Sequence, residues 1–265
     1  MNGLLKIAID AALEAGKEIM RIYDDPSQDF DIERKADNSP LTLADKAAHD
    51  CIVRHLEPTS IPILSEEGAH LPYEVRKEWR RLWIVDPLDG TKEFIKKNGE
   101  FTVNIAFVED GKPVLGVIYV PATGVLYAGV VVEGAWKETP SNSPSKGRTQ
   151  VRESLPIEGE VWRGSFVIVA SRSHLTPETE EYIEQMRREH GEVRLISSGS
   201  SLKICLVAEG AADVYPRFAP TMEWDTAAGD AIARAAGKVV VDAKTGQPLT
   251  YNKPDLHNPW FIVRG

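Results

Sequence analysis

Three apolar runs separated by tight turns constrain this chain more than any other feature. Residues 101–109, 114–120 and 125–132 are rich in valine, isoleucine and aromatic side chains, with Asp110-Gly111 and the stretch from Pro121 to Gly124 between them. Strands joined by turns this short pair antiparallel, so a meander sheet is predicted. The second half reads differently. Residues 166–170, 193–196, 212–215 and 239–241 have strand character, and helical patterns at 177–190, 201–209 and 226–236 fall between them. Thr176-Pro177 opens the first of these helices and Gly191 stops it, as a side-chain cap, a first-turn proline and a terminal glycine should. Strands alternating with helices imply layered α/β architecture.

Two amphipathic helices are predicted ahead of the meander. In 4–23, Leu5, Ile9, Ala12, Ile19 and Ile22 recur at helical spacing until Pro26 ends the pattern, and 44–56 forms the second. Short apolar runs follow at 61–64 and 82–85, with a weaker helical pattern at 73–81. Residues 139–148 gather Ser, Asn, Pro and Gly and form the clearest break, dividing the chain into 1–138 and 139–265.

Charge narrows the function classes. With 31 Lys+Arg against 40 Asp+Glu, the net charge of -9 argues against a broad basic footprint for nucleic acid polymers. A polyanionic ligand would need positive charge supplied locally or by metal ions. Lys6, Asp10, Glu14 and Lys17 interrupt the first helix, and no apolar run approaches bilayer length, so a cytoplasmic location is expected. Cys51 and Cys205 lie in apolar helical patterns without a CxxC pair; the expectation is reduced core thiols, not a disulfide or zinc ligands.

Acidic residues fall where predicted elements end: Glu66 after 61–64, Asp86 and Asp89 after 82–85, and Asp225 before the 226–236 helix. Several carboxylates with a main-chain carbonyl suit a hard divalent cation such as Mg²⁺. Gly90-Thr91 adds free N–H groups at a predicted helix start, which attract an anion such as phosphate. Each feature also has a plain structural role open to it. Asp-Gly is a common turn, Asp225 would cap a helix, and Glu66-Glu67 would suit a solvated loop.

The segments Glu66-Glu67, Asp86-Pro87-Leu88-Asp89-Gly90-Thr91 and Trp224-Asp225-Thr226-Ala227-Ala228-Gly229, in this order, resemble the signatures of the inositol monophosphatase superfamily of lithium-sensitive, magnesium-dependent phosphatases. Further segments narrow the resemblance to its bacterial CysQ-type 3′(2′),5′-bisphosphate nucleotidases: Lys92-Glu93-Phe94, Gly99-Glu100-Phe101-Thr102-Val103-Asn104, Ser171-Arg172-Ser173-His174, Gly199-Ser200-Ser201-Leu202-Lys203 and Tyr215-Pro216-Arg217-Phe218. The resemblance implies a layered α/β/α/β/α sandwich. It implies that Glu66, Asp86, Asp89, Asp225 and the Leu88 carbonyl bind two or three Mg²⁺ ions, with Glu66 and Asp86 also counted as catalytic. Thr91, with Asp45 behind it, would orient the attacking water.

Substrate contacts would come from Asp89, Gly90, Thr91, His174, Ser200, Lys203, Arg217 and Asp225. Arg217 stands where inositol monophosphatases carry an acidic residue, and a guanidinium grips a phosphate in a fork. Lys203 as a solvated charge, Arg217 packed on Phe218 and His174 as a loop residue are the plain alternatives. The implied reaction is removal of the 3′-phosphate from 3′-phosphoadenosine 5′-phosphate, and from its sulfated relative. An inositol or fructose-1,6-bisphosphate phosphatase on the same fold and a non-catalytic metal- or nucleotide-binding protein are the competing readings. The expected partner is a small bisphosphate nucleotide, with the chain a monomer or homodimer and at most weakly associated with a membrane surface.

Overall fold

A computed structural model describes residues 2–25, 33–34, 40–69, 71–140, 150–156, 164–171 and 176–265. In chain order the first half runs α1 (Asn2–Tyr23), β1 (Glu33–Arg34), β2 (Pro40–Leu41), α2 (Leu43–Leu56), β3 (Ile63–Ser65), α3 (Tyr73–Arg76), β4 (Arg81–Asp89) and α4 (Thr91–Ile95). Five strands follow: β5 (Thr102–Glu109), β6 (Lys112–Val120), β7 (Val125–Val130), β8 (Gly134–Pro140) and β9 (Gln150–Leu155). The rest comprises β10 (Phe166–Ser171), α5 (Pro177–His190), β11 (Val193–Ser198), α6 (Leu202–Ala208), β12 (Val214–Arg217), α7 (Glu223–Ala235), β13 (Val239–Asp242) and β14 (Phe261–Arg264).

The meander forms the centre of a seven-stranded sheet in the order β3-β4-β5-β6-β7-β8-β9, in which β3 alone pairs parallel. Asp110 and Gly111 both have positive φ, 48° and 72°, the geometry whose twist matches a two-residue hairpin. Period-two alternation sorts its side chains. Trp83, Val85, Ile105 and Phe107 pack with α1 and α2, while Leu82, Ile84, Ala106 and Val108 pack on the opposite face with α6 and α7. The helix α7 sits close to the sheet because position 116 is glycine: a Cβ there would meet the Ala228 carbonyl oxygen at 2.1 Å. Even alanine would push the two apart.

The five-stranded sheet, in the order β11-β10-β12-β14-β13, covers the other side of α6 and α7 through Val167, Val169, Tyr215, Phe261 and Val263. Its far face, with Ile168 and Val214, meets Ile183 and Met186 of α5. The layering is therefore α1 and α2, large sheet, α6 and α7, small sheet, α5, the α/β/α/β/α order that the resemblance implied.

Several boundaries differ from the sequence reading. The weak helical pattern at 73–81 gives only α3, because Arg81 already opens β4. Strands β8, β9 and β14 were not foreseen. β14 inserts between β12 and β13, a pairing made by residues far apart in the chain. Cys51 and Cys205 are free, buried thiols. No helix among the described residues is long and apolar enough to cross a membrane.

Candidate active site

The strand β4 does not end before its acids, as the sequence suggested; it carries them. Asp86 is level with Asn104 of β5 and Asp89 with Thr102, leaving Pro87 and Leu88 opposite Val103 alone. This is a β-bulge. In an unbroken strand, residues three apart project from opposite faces, and the one extra residue brings Asp86 and Asp89 to the same side. Proline is tolerated here because a bulge asks for no ladder N–H at that position. The Leu88 N–H donates to Asp86 Oδ1 at 3.1 Å, closing the turn and fixing the Asp86 side chain. Leu88 itself is buried between the two acids.

Asp225 approaches from α7. It is the third residue of that helix, not the residue before it, and its Oδ2 accepts the Met222 N–H at 2.8 Å. Carboxylate oxygens of Asp86, Asp89 and Asp225 all lie within 4.8 Å of one another. Glu66 follows β3 directly, and its N–H donates to the Val85 carbonyl at 3.1 Å, which sets it beside Asp86.

Crowding buried carboxyls has an electrostatic cost. Burial drives Asp86 well above the usual carboxylate range, and the charges of Glu66, Asp89 and Asp225 push the same way. Burial also raises Asp89 to about 6, although the Lys203 ammonium and the Ser201 N–H oppose it. Asp225 is raised to about 8, by burial first and then by Asp89. Such a set cannot ionise fully without positive charge among its members. An all-oxygen donor set this compact fits a hard divalent cation and offers zinc no nitrogen or sulfur.

Beside the acids, Thr91 and Asp45 form a second unit. Asp45 is the third residue of α2, where its Oδ2 accepts from the Thr42 N–H at 2.7 Å and from the Thr42 hydroxyl at 2.6 Å. The Thr42 hydroxyl accepts in turn from the Ala44 N–H at 3.2 Å, completing a capping box. Asp45 is thereby held so that its Oδ1 accepts the Thr91 hydroxyl at 3.2 Å. Because that hydroxyl has a single proton, its oxygen is left as an acceptor toward the acids.

A cavity of about 370 Å³ opens above the acids, lined by Asp89, Gly90, Thr91, Lys203, Arg217 and Asp225 among others. Lys203 is buried, not solvated, with Nζ donating to the carbonyls of Ser200 at 2.5 Å and Ser198 at 3.3 Å. Burial lowers it to about 8, against the pull of Asp89. The Arg217 guanidinium donates to the Pro220 carbonyl at 3.1 Å, but its buried Nε has no hydrogen-bond partner among the described residues.

Ser200 also lines the cavity, yet its hydroxyl is committed elsewhere. It lies 2.9 Å from the Asp89 carbonyl and 2.8 Å from the Glu100 carbonyl, sharing one proton between them. His174 falls outside the described residues.

Five residues without a role in the sequence reading hold this arrangement. The Ser201 N–H donates to Asp89 Oδ2 at 2.6 Å, and its hydroxyl donates to Asn104 Oδ1 and contacts Thr102, both at 2.9 Å. The Gly199 N–H donates to the Glu100 carboxylate at 2.9 Å. The signal was available: Thr102 and Asn104 are polar residues inside an apolar strand, and they are 0 % and 1 % exposed.

Comparison with known proteins gives concordant results. The inositol monophosphatase family model matches residues 1–260. The chain is 49 % identical over 257 residues to 3′(2′),5′-bisphosphate nucleotidase CysQ of Escherichia coli strain K12, covering 95 % of this chain and 96 % of that one. To the protein of the same name from Salmonella typhimurium strain LT2 it is 48 % identical over 264 residues, covering 98 % and 99 %. The crystal structure of CysQ from Bacteroides thetaiotaomicron, described as a bacterial member of the inositol monophosphatase family, superposes with a TM-score of 0.88. It is 58 % identical, over 99 % of this chain and 97 % of that one.

Proposed function

The chain belongs to the inositol monophosphatase family, a family of phosphatases, and on that premise we propose that it is a Mg²⁺-dependent 3′(2′),5′-bisphosphate nucleotidase. Its substrate is 3′-phosphoadenosine 5′-phosphate, cleaved to AMP and phosphate, with the sulfated relative as a second substrate. The observation that carries this reading is the convergence of Asp86, Asp89 and Asp225 beneath a cavity whose wall presents Thr91, Lys203 and Arg217.

Glu66, Asp86, Asp89, Asp225 and the Leu88 carbonyl would hold the metal, which when bound neutralises phosphoryl oxygens and acidifies water. The protein's own residues do the rest. Asp45 takes the Thr91 proton into a hydrogen bond, so the Thr91 oxygen accepts from the attacking water and aims it at phosphorus. Gly90 lets the backbone approach the phosphate closely. The unpartnered Arg217 Nε and its fork would grip the substrate's second phosphate, with Ser200 shaping the wall. Lys203 tempers the carboxylate charge next to Asp89. On this reading residues 1–138 supply most of the metal ligands and 139–265 the nucleotide grip.

Phosphate release from 3′-phosphoadenosine 5′-phosphate, inositol 1-phosphate and fructose 1,6-bisphosphate, with and without Mg²⁺, tests the proposal. The nucleotide is expected to be turned over best, only with Mg²⁺, and Arg217→Met should lower its kcat/KM by roughly a hundredfold. An equal or higher rate on inositol 1-phosphate would defeat the role of Arg217. An unchanged rate in Asp86→Asn would sink the metal assignment.

A further inference from the structure

A second group of metal-ligating side chains lies in the outer helical layer. Cys51 and His55 are four residues apart on α2, so they project from one face of that helix. Glu14 reaches them from α1. The Cys51 Sγ, a ring nitrogen of His55 and a carboxylate oxygen of Glu14 all lie within 4.8 Å of one another, and His55 Nε2 is 3.6 Å from Glu14 Oε2.

The histidine is already oriented as a ligand would be. Its Nδ1 is 2.9 Å from the Cys51 carbonyl, an acceptor only, so Nδ1 carries a proton, and in the neutral ring the Nε2 lone pair is the one on the side of Glu14. We propose that Glu14, Cys51 and His55 form a zinc-binding site that joins α1 to α2, separate from the acidic centre.

The donor set decides the ion. Thiolate, imidazole and carboxylate together suit Zn²⁺, whereas Mg²⁺ takes oxygen alone. Tetrahedral bonds of about 2.0–2.3 Å would place ligand atoms about 3.5 Å apart. The Glu14–His55 pair is already near that separation, and Cys51 Sγ lies within 4.8 Å of both. Glu14 is 55 % exposed and His55 28 %, so water can reach the fourth position.

Burial pushes the Cys51 thiol up, with Glu14 and Glu18 adding to the shift and Arg54 opposing it. Zinc must therefore displace the thiol proton, which leaves to buffer while Sγ, Nε2 and a carboxylate oxygen each donate a pair to the ion. The sequence reading of Cys51 as an inert core thiol passed over His55 one turn away.

The test titrates the full-length protein with Zn²⁺ against a chromophoric chelator, in excess Mg²⁺ to occupy the acidic centre. Co²⁺ serves in parallel as an optical probe for thiolate ligation. One Zn²⁺ per chain is expected, bound at least tenfold more tightly than in Cys51→Ala or His55→Gln, with a thiolate–cobalt charge-transfer band lost in Cys51→Ala and kept in Asp86→Asn. Zn²⁺ should also raise the Tm of the wild type and not of His55→Gln, whose surface-side substitution leaves the core intact. Equal affinity in wild type and His55→Gln, or a cobalt spectrum without the thiolate band, would overturn the site.

Discussion

Thr91 has one hydroxyl proton, and Asp45 Oδ1 takes it at 3.2 Å while Asp45 Oδ2 is held by the cap of α2. The consequence is directional. A threonine donating to a fixed carboxylate can only accept from the next group, so its oxygen would order a water by accepting that water's hydrogen bond. Thr91→Val keeps the shape and removes the acceptor; it should lower kcat by about 10²–10³-fold with KM little changed. Thr91→Ser should recover most of that loss. A Thr91→Val enzyme within threefold of wild type, or one whose defect lies in KM alone, would assign the pair a purely structural role. The family resemblance set Asp45 behind Thr91, and the 3.2 Å contact agrees; no local pattern could have shown it, since 46 positions separate the two and α2 must pack against β4.

At the scale of elements, the site is built where β4 breaks its own pairing and where a loop from the second half locks onto the break. Gly90 has φ of 95°, and a Cβ there would fall 2.2 Å from the Ser200 hydroxyl oxygen. Gly90→Ala therefore meets two obstacles, the left-handed backbone, worth roughly 1–2 kcal/mol, and the serine. Ser200→Ala removes the second obstacle while losing its own contact with the Asp89 and Glu100 carbonyls. The double variant should be more stable than the sum of the singles predicts, with a coupling of about 1 kcal/mol by chemical denaturation. Strict additivity would mean that Ser200 does not press on Gly90. The turn residues and the carboxylates were legible as Asp-Pro-Leu-Asp-Gly. The bulge was not, because it is a property of β4 against β5 and shows only when Asp86 is level with Asn104 and Asp89 with Thr102. For the same reason β14 went unread: its place between β12 and β13 is fixed by tertiary pairing, not by any local pattern.

Across the whole molecule, a chain of net charge -9 concentrates one buried and two half-buried acids at the meeting of β4 and α7, and this links stability to pH. Carboxyls of the unfolded chain titrate near pH 4, whereas burial and mutual repulsion hold Asp89 to about 6, Asp225 to about 8 and Asp86 well above its usual range. Between pH 4 and 8 these acids thus hold more protons in the folded, ion-free protein than in the unfolded chain, and His49, lowered by burial, opposes them only below the ordinary histidine range. Stability must fall as pH rises through that window. Lys203, lowered to about 8, has the opposite sign, but its window lies above pH 8. Asp230, raised to about 6 by burial despite Arg234, adds a falling contribution that does not depend on the metal.

Mg²⁺ held at the acids, as proposed, would replace the bound protons, so the stabilisation it gives should grow from pH 5 to 8. In chelator, Tm should decline over that range; in millimolar Mg²⁺ the decline should flatten to the part contributed by Asp230 and other remote groups. Asp225→Asn separates the centre from those groups, because the amide carries no charge to repel. In chelator at pH 8 it should melt above the wild type, and Mg²⁺ should move its Tm far less. A chelated wild type whose Tm rises between pH 5 and 8, or a Mg²⁺-induced shift as large in Asp225→Asn as in wild type, would show that the acids are neither crowded nor coupled in the way their placement requires.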